Sequence, residues 1–205
     1  MSELTFYTHP MSRGRVVRWM LEEVGIPYTV ETMDFGPDMK TPEYLAINPM
    51  GKVPAIDHDG KVVTEGAAIC AYLADAFPDA GLAPTADERA DYYRWLFFAA
   101  GPLESAITNR SMGFEVEPDK EKLAGYGNYD HVVDALDRKF QTDDYVCGNR
   151  FTMADVYVGA QLVWGTQFGT LPKRDSFIAY GERLIHRDAY ESAKAVDDAL
   201  IAENS

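Results

Sequence analysis

Ser12 lies between a proline and an apolar-periodic segment, where a hydroxyl residue opens a helix. A hydroxyl donor beside the open N–H groups of a helix N-terminus can hold an anion. For a bound thiol this matters, because the thiolate is the nucleophile and a free thiol, with a pKa of about 8.5, is mostly protonated at neutral pH. Donating to sulfur would make Ser12 catalytic; plain helix capping is its other role. Tyr7, in the same segment, is the competing donor. Arg13, Arg15 and Arg18 form a basic cluster in an acidic chain. Arg13 falls in a first helical turn, where the dipole disfavours a cation, so a partner carboxylate is expected nearby. His9 either tunes a thiol or is simply solvated.

Val53-Pro54 can be read in two ways. A cis bond there would expose the Val53 N–H and C=O to an extended peptide, which could add as a short antiparallel strand. Otherwise Pro54 merely starts a strand, where proline is tolerated. Glu65 precedes a helix start; it complements the helix dipole or pairs with an ammonium group. Lys52, with Lys40 second, can reach a carboxylate or stay solvated. No two of the four histidines have metal-ligand spacing with each other or with a cysteine, so no metal is predicted. Arg13-Gly14-Arg15 is not a dinucleotide fingerprint.

The elements that must position these residues follow from periodicity. Residues 4–7 read as a strand stopped by His9-Pro10. Val17, Met20, Leu21 and Val24 form one apolar helix face after Ser12, ended by Gly25 and Pro27. Residues 28–33 read as a second strand, parallel to the first. A short helix over 42–47 precedes strands at 53–56 and 61–63, joined by a turn containing Asp59-Gly60. A helix over 66–77 puts Cys70, Leu73 and Phe77 on one face. This β-α-β-loop-β-β-α order is a thioredoxin-like pattern. Beyond residue 87 strand signals vanish. Helices are expected over 90–112, kinked at Pro102, and over 120–141. Thr152 to Asp155 is a capping box for a buried helix with Val156, Ala160 and Val163, and two shorter helices follow. The fold class is therefore α/β plus all-α: a thioredoxin-like domain over 1–80, a linker near 81–86 and an all-helical domain over 87–205.

The bulk composition narrows the partners. With 33 acidic and 19 basic residues among 205, the formal charge is −14, spread over both halves of the chain. Such a surface repels phosphate backbones and anionic lipid, so neither nucleic acid nor membrane is an expected partner. The start carries no secretory pattern and no segment is apolar enough to span a bilayer. Two distant cysteines, Cys70 and Cys147, suit a reducing, cytoplasmic setting as inert thiols.

Four segments carry a resemblance: Tyr7-Thr8-His9-Pro10-Met11-Ser12-Arg13, Asn48-Pro49-Met50-Gly51-Lys52-Val53-Pro54, Thr64-Glu65-Gly66-Ala67-Ala68-Ile69 and Phe151-Thr152-Met153-Ala154-Asp155. In this order and spacing the chain resembles the cytosolic glutathione S-transferases, bacterial and with a serine-type site, over nearly its whole length. The resemblance implies glutathione as co-substrate, bound through Lys52, Val53, Pro54, Glu65 and Gly66, with Ser12 as catalytic donor. Gly66 departs from the family's serine, which removes one side-chain hydrogen bond and keeps the backbone N–H. The implied reaction is attack on small apolar electrophiles, a detoxification chemistry, by a homodimer. The second substrate would be lined by Tyr7, Met11, Tyr92, Trp95, Phe98 and Met112, between the domains. Glutathione-dependent isomerisation, peroxide reduction or disulfide reduction are alternatives, as is a non-enzymatic partner-binding role.

Overall fold

Alternation decides the first strand. In β1, Leu4–Thr8, the side chains of Leu4, Phe6 and Thr8 are buried, while those of Thr5 and Tyr7 on the other face are half-buried. A computed structural model gives the structure of the chain over residues 3–203. β1 runs parallel to β2, Thr29–Thr32, with Phe6 opposite Val30, across α1, Gly14–Val24. On its other side β1 pairs antiparallel with β3, Ala55–His58, which pairs with β4, Lys61–Thr64, giving the order β2-β1-β3-β4. Asp59 and Gly60 both take positive φ, as a two-residue hairpin turn between right-twisted strands requires. β3 starts two residues later than expected, because Pro54 has no N–H to give the ladder.

Val17, Met20 and Leu21 of α1 are fully buried, as are Ile69, Cys70 and Leu73 of α3, Gly66–Ala76. They close one face of the sheet over Phe6 and Ile56. Val24 and Phe77, expected on the same stripes, are half-buried at the helix ends. α2, Pro42–Ile47, is capped by Thr41, whose hydroxyl accepts the Tyr44 N–H.

By its contacts the chain divides into Met1–Ala83 together with His186–Ser205, and Pro84–Ile185. The last helix, α9 (Asp188–Glu203), therefore belongs with the sheet rather than with the helical part, unlike the expected boundary of 87–205. It is also 16 residues long, not short. Its buried stripe is Tyr190, Ala193 and Asp197, so a carboxylate occupies the face where periodicity looks for apolar residues. Asp197 accepts from Arg18 Nε at 2.8 Å, both side chains almost wholly buried, and Tyr190 meets the Trp19 ring edge-on at 5.0 Å.

The second part is helical. α4, Arg89–Phe98, continues through a π-helical turn, Ala99–Leu103, into α5, Glu104–Ser111. The widened turn absorbs Pro102, and Gln161 Nε2 donates to the Ala99 carbonyl at 3.2 Å. The next helix, α6, is Tyr129–Thr142 and not 120–141. Gly125 and Gly127 interrupt the expected start, and Asn128 begins the helix by accepting the His131 N–H. α7, Met153–Phe168, opens on the expected capping box and buries Val156, Ala160 and Val163. α8, Asp175–Ile185, packs with it and stacks Tyr180 on Phe140. No helix among the described residues is long and apolar enough to cross a membrane.

Candidate active site

The register across three neighbouring strands gathers the chemistry. Tyr7 of β1 stands opposite Ala55 of β3, and Ala55 opposite Thr64 of β4. One step outward along this row are Thr8, Pro54 and Glu65, so the segments leading to Ser12, Val53 and Gly66 leave from one end of the sheet. That end is where the parallel pair β1 and β2 finishes, the usual place for ligands in such folds.

The turn from β1 to α1 holds Ser12 by both lone pair and proton. Its Oγ donates to the His9 carbonyl at 2.7 Å and accepts the Gly14 N–H at 2.9 Å. The helix begins at Gly14 with Arg13 in the cap position, so Ser12 is not the expected N-cap; it reaches the first helical N–H from one residue further back. Ser12 remains half-buried, and Met11 beside it is exposed. His9, read from sequence as a solvated loop residue or a thiol tuner, is only 9% exposed. Its Nδ1 accepts the Met11 N–H at 3.1 Å and its ring packs on Phe35 at 4.0 Å. Tyr7, on the opposite strand face from Phe6, contacts Tyr44. Burial first, then the carboxylates of Asp57 and Glu31, push its hydroxyl above the usual tyrosine range.

The Val53–Pro54 bond is cis. Neither the N–H nor the C=O of Val53 takes part in a strand ladder or another hydrogen bond among the described residues. The loop before it is braced throughout. The Lys52 carbonyl accepts from Tyr44 Oη and Asn48 Nδ2, each at 2.7 Å. Asn48 Oδ1 accepts the Met50 N–H, and Lys40 Nζ donates to the Met50 and Gly51 carbonyls at 3.1 and 3.0 Å. Lys40 thus holds the loop instead of projecting freely, whereas Lys52 is exposed. Gly51 is required here: its φ is +57°, and a Cβ would stand 2.5 Å from the Met39 carbonyl.

Glu65 is the other backbone exception. Its φ of +67° costs a non-glycine residue about 1–3 kcal/mol, and its exposed carboxylate has no hydrogen bond or ion pair among the described residues. The N–H groups of Gly66 and the next residues are the open ones of the α3 N-terminus. Together these groups offer a hydroxyl at a helix start, an unpaired backbone donor and acceptor, a carboxylate beside open N–H groups and a lysine. That set matches a small zwitterionic peptide carrying a thiol.

Two arginines of the basic cluster find their carboxylates on α9: Arg15 Nη2 meets Asp198 at 2.7 Å, and Arg18 meets Asp197. Thr8 and Asn48 were not among the candidates. Only Asn48-Pro49, a turn signal, marked one of them in the sequence. Tyr92 and Trp95, proposed as lining, are buried in the helical part. Burial raises both thiols, Cys147 to about 11 and Cys70 further. Among the described residues no cluster of three or more His, Cys, Asp or Glu could hold a metal.

Known proteins resemble this chain over most of its length. Residues 11–76 match the glutathione S-transferase N-terminal domain and residues 93–187 the glutathione S-transferase C-terminal domain. The chain is 30% identical over 192 residues to glutathione S-transferase GstA of Escherichia coli O157:H7, covering 89% of this chain and 90% of that one. It is 30% identical over 204 residues to glutathione S-transferase GST-4.5 of Xanthomonas campestris, covering 89% and 93%. Among solved structures, a glutathione transferase of Methylococcus capsulatus superposes with a TM-score of 0.77 at 27% identity, over 96% of this chain and 99% of that one. A Sulfitobacter homologue with bound glutathione gives 0.74 at 25% identity, over 95% and 98%. The chain belongs to the glutathione S-transferase family.

Proposed function

We propose that the chain is a glutathione transferase that binds glutathione at this end of the sheet and holds its thiol as the thiolate with Ser12. The observation that carries the reading is the row Tyr7, Ala55, Thr64, which brings Ser12, Val53 and Glu65 to one sheet end from three separate segments. The Val53 N–H and C=O pair with the cysteinyl main chain of the tripeptide, beside Pro54. Glu65 pairs with the α-amino group of the γ-glutamyl residue, the Gly66 N–H holds its carboxylate, and Lys52 meets the glycine carboxylate. The thiolate sulfur then bonds to the electrophilic centre of a small apolar substrate, which expels its leaving group; the thiol proton passes to solvent. No metal is assigned a role. The protein thiols, held up by burial, offer no second nucleophile. We place the enzyme in the cytoplasm as a homodimer.

Ser12 is favoured over Tyr7 by charge. The carboxylates that raise Tyr7 would also oppose a thiolate beside it, whereas Ser12 adjoins the positive end of the α1 dipole. Absorbance of bound thiolate against pH tests this. Ser12→Ala should raise the pKa of the bound thiol by about 1–2 units, the worth of one hydrogen bond to a charged group, while glutathione affinity holds. A raised value in Tyr7→Phe, with none in Ser12→Ala, would move the role to Tyr7.

A further inference from the structure

We infer that His9 is a positioning residue for the reaction: its ring nitrogen fixes the turn whose carbonyl holds the Ser12 hydroxyl in place. This rests on Ser12 being the thiol donor. His9 makes three connections within four residues. Its carbonyl accepts both the Ser12 N–H at 3.0 Å and the Ser12 hydroxyl at 2.7 Å. Its Nδ1 accepts the Met11 N–H at 3.1 Å, so that nitrogen carries no proton and the ring is the Nε2–H form. The ring is held on Phe35, centroids 4.0 Å apart, in the loop after β2. A loop histidine without such packing would be solvated; this one is almost wholly buried.

The arrangement has a chemical consequence. Before glutathione binds, the Ser12 proton points to the His9 carbonyl; when sulfur arrives, that proton turns to the sulfur. The carbonyl is not stranded by the exchange, because it keeps the Ser12 N–H. The hydroxyl therefore changes partner by rotating about one bond while the turn stays fixed, provided the Met11 N–H remains tied to His9 Nδ1. Without that tie the turn gains freedom, and Ser12 loses the preorganisation that makes its donation stronger than water's. The ligand-binding groups before β3 and at the start of α3 are untouched, so the effect falls on the thiol and not on affinity.

Three substitutions separate the acceptor from the ring. His9→Ala should raise the bound-thiol pKa by about 0.5–1 unit and lower kcat roughly threefold to tenfold, the scale of one neutral hydrogen bond, with KM for glutathione unchanged. His9→Asn, whose side-chain oxygen can accept the same Met11 N–H, should restore most of the loss. His9→Phe keeps a ring for Phe35 but no acceptor, and should resemble His9→Ala. In a Ser12→Ala background, His9→Ala should leave the thiol pKa where Ser12→Ala put it. Circular dichroism melts of each variant confirm that the folded protein is being titrated. A wild-type thiol pKa in folded His9→Phe or His9→Ala, with the value raised in Ser12→Ala, would overturn the inference and leave the donor reading standing. An unmoved pKa in Ser12→Ala would overturn the donor reading, and this inference with it.

Discussion

At Gly14 the first turn of α1 presses so closely on the end of β1 that a side chain has no room. A Cβ there would stand 1.9 Å from the Thr8 hydroxyl and 3.0 Å from that of Ser12. The Thr8 hydroxyl is itself buried with no partner among the described residues. Gly14→Ala must therefore push on the two hydroxyls that flank the helix start. We expect a loss of about 1–3 kcal/mol in urea melts, the usual cost of overpacking, together with a raised pKa of bound thiol. Wild-type values of both would mean that the turn yields freely. Glu65 supplies a second test. Its backbone is strained yet its carboxylate is unpaired, a combination that a ligand ammonium would explain. Glu65→Gln should weaken glutathione binding by about twofold to fivefold in calorimetry, the scale of an exposed charge pair of up to about 1 kcal/mol. Equal affinity would reduce Glu65 to a charge at a helix start. Ser12, Val53 and Glu65 could be named as candidates because residue type and local turn chemistry mark them. His9 and Lys40 were named too, but not their places, because what fixes each is a contact with another part of the chain: His9 with Phe35, and Lys40 with the Met50 and Gly51 carbonyls.

Helix α9 meets α1 through ion pairs as well as through the Tyr190–Trp19 contact. Arg18 and Asp197 are 2% and 1% exposed, while Arg18 Nη2 and Asp197 Oδ2 have no partner among the described residues. The pair is therefore incompletely compensated, and removing one member leaves a buried lone charge. Asp197→Ala should cost about 3–5 kcal/mol in urea unfolding, and the double change Arg18→Met with Asp197→Leu should recover much of it. A cost below 1 kcal/mol for the single change would show that water reaches the pair. The start of the helical part is held differently. Arg150 grips Glu88 with two nitrogens and, with the Thr85 N–H, lowers its carboxyl to about 2. Because the folded pKa is depressed, this stabilisation is full above the unfolded value of about 4.3 and disappears as pH falls toward 2. Glu88→Gln should accordingly lose this stabilisation at neutral pH and flatten the dependence of stability on pH between about 4.5 and 2, where its difference from wild type closes. A slope equal to wild type over that window would place the acid sensitivity elsewhere.

Each of the two units leaves large apolar side chains exposed. Phe97 and Tyr93 on α4 are 69% and 50% exposed, and Val62 lies open on the edge strand β4. Such surface fits the proposed homodimer, although a charge of −14 on each copy requires that the contact avoid carboxylates or match them with arginines. Light scattering at micromolar protein and moderate salt should give about twice 22.9 kDa. A mass of 22.9 kDa that persists on concentration would rule the pairing out.

Local rules settled much of this protein from sequence alone. Alternation marked β1, a 3.6-residue stripe marked α1, Pro42 opened α2, Asp59-Gly60 closed the hairpin, and the Thr152–Asp155 box opened α7. Each depends on residues within a turn or two of one another, so the chain carries the signal in its order. The start of α6 was misplaced because helix formers at 120–124 are overruled by the glycines and Asn128 that follow. α9 was undervalued because its buried face carries Asp197, which reads as polar until Arg18 is known to face it. The tertiary structure also decided that Lys40 braces the loop before Pro54, that Phe35 buries His9 and that Ser12 spends its proton on the His9 carbonyl. For Lys40, Phe35 and Asp197 the deciding partner is distant in sequence; for Ser12 it is close, but its geometry is fixed only when α1 packs on β1.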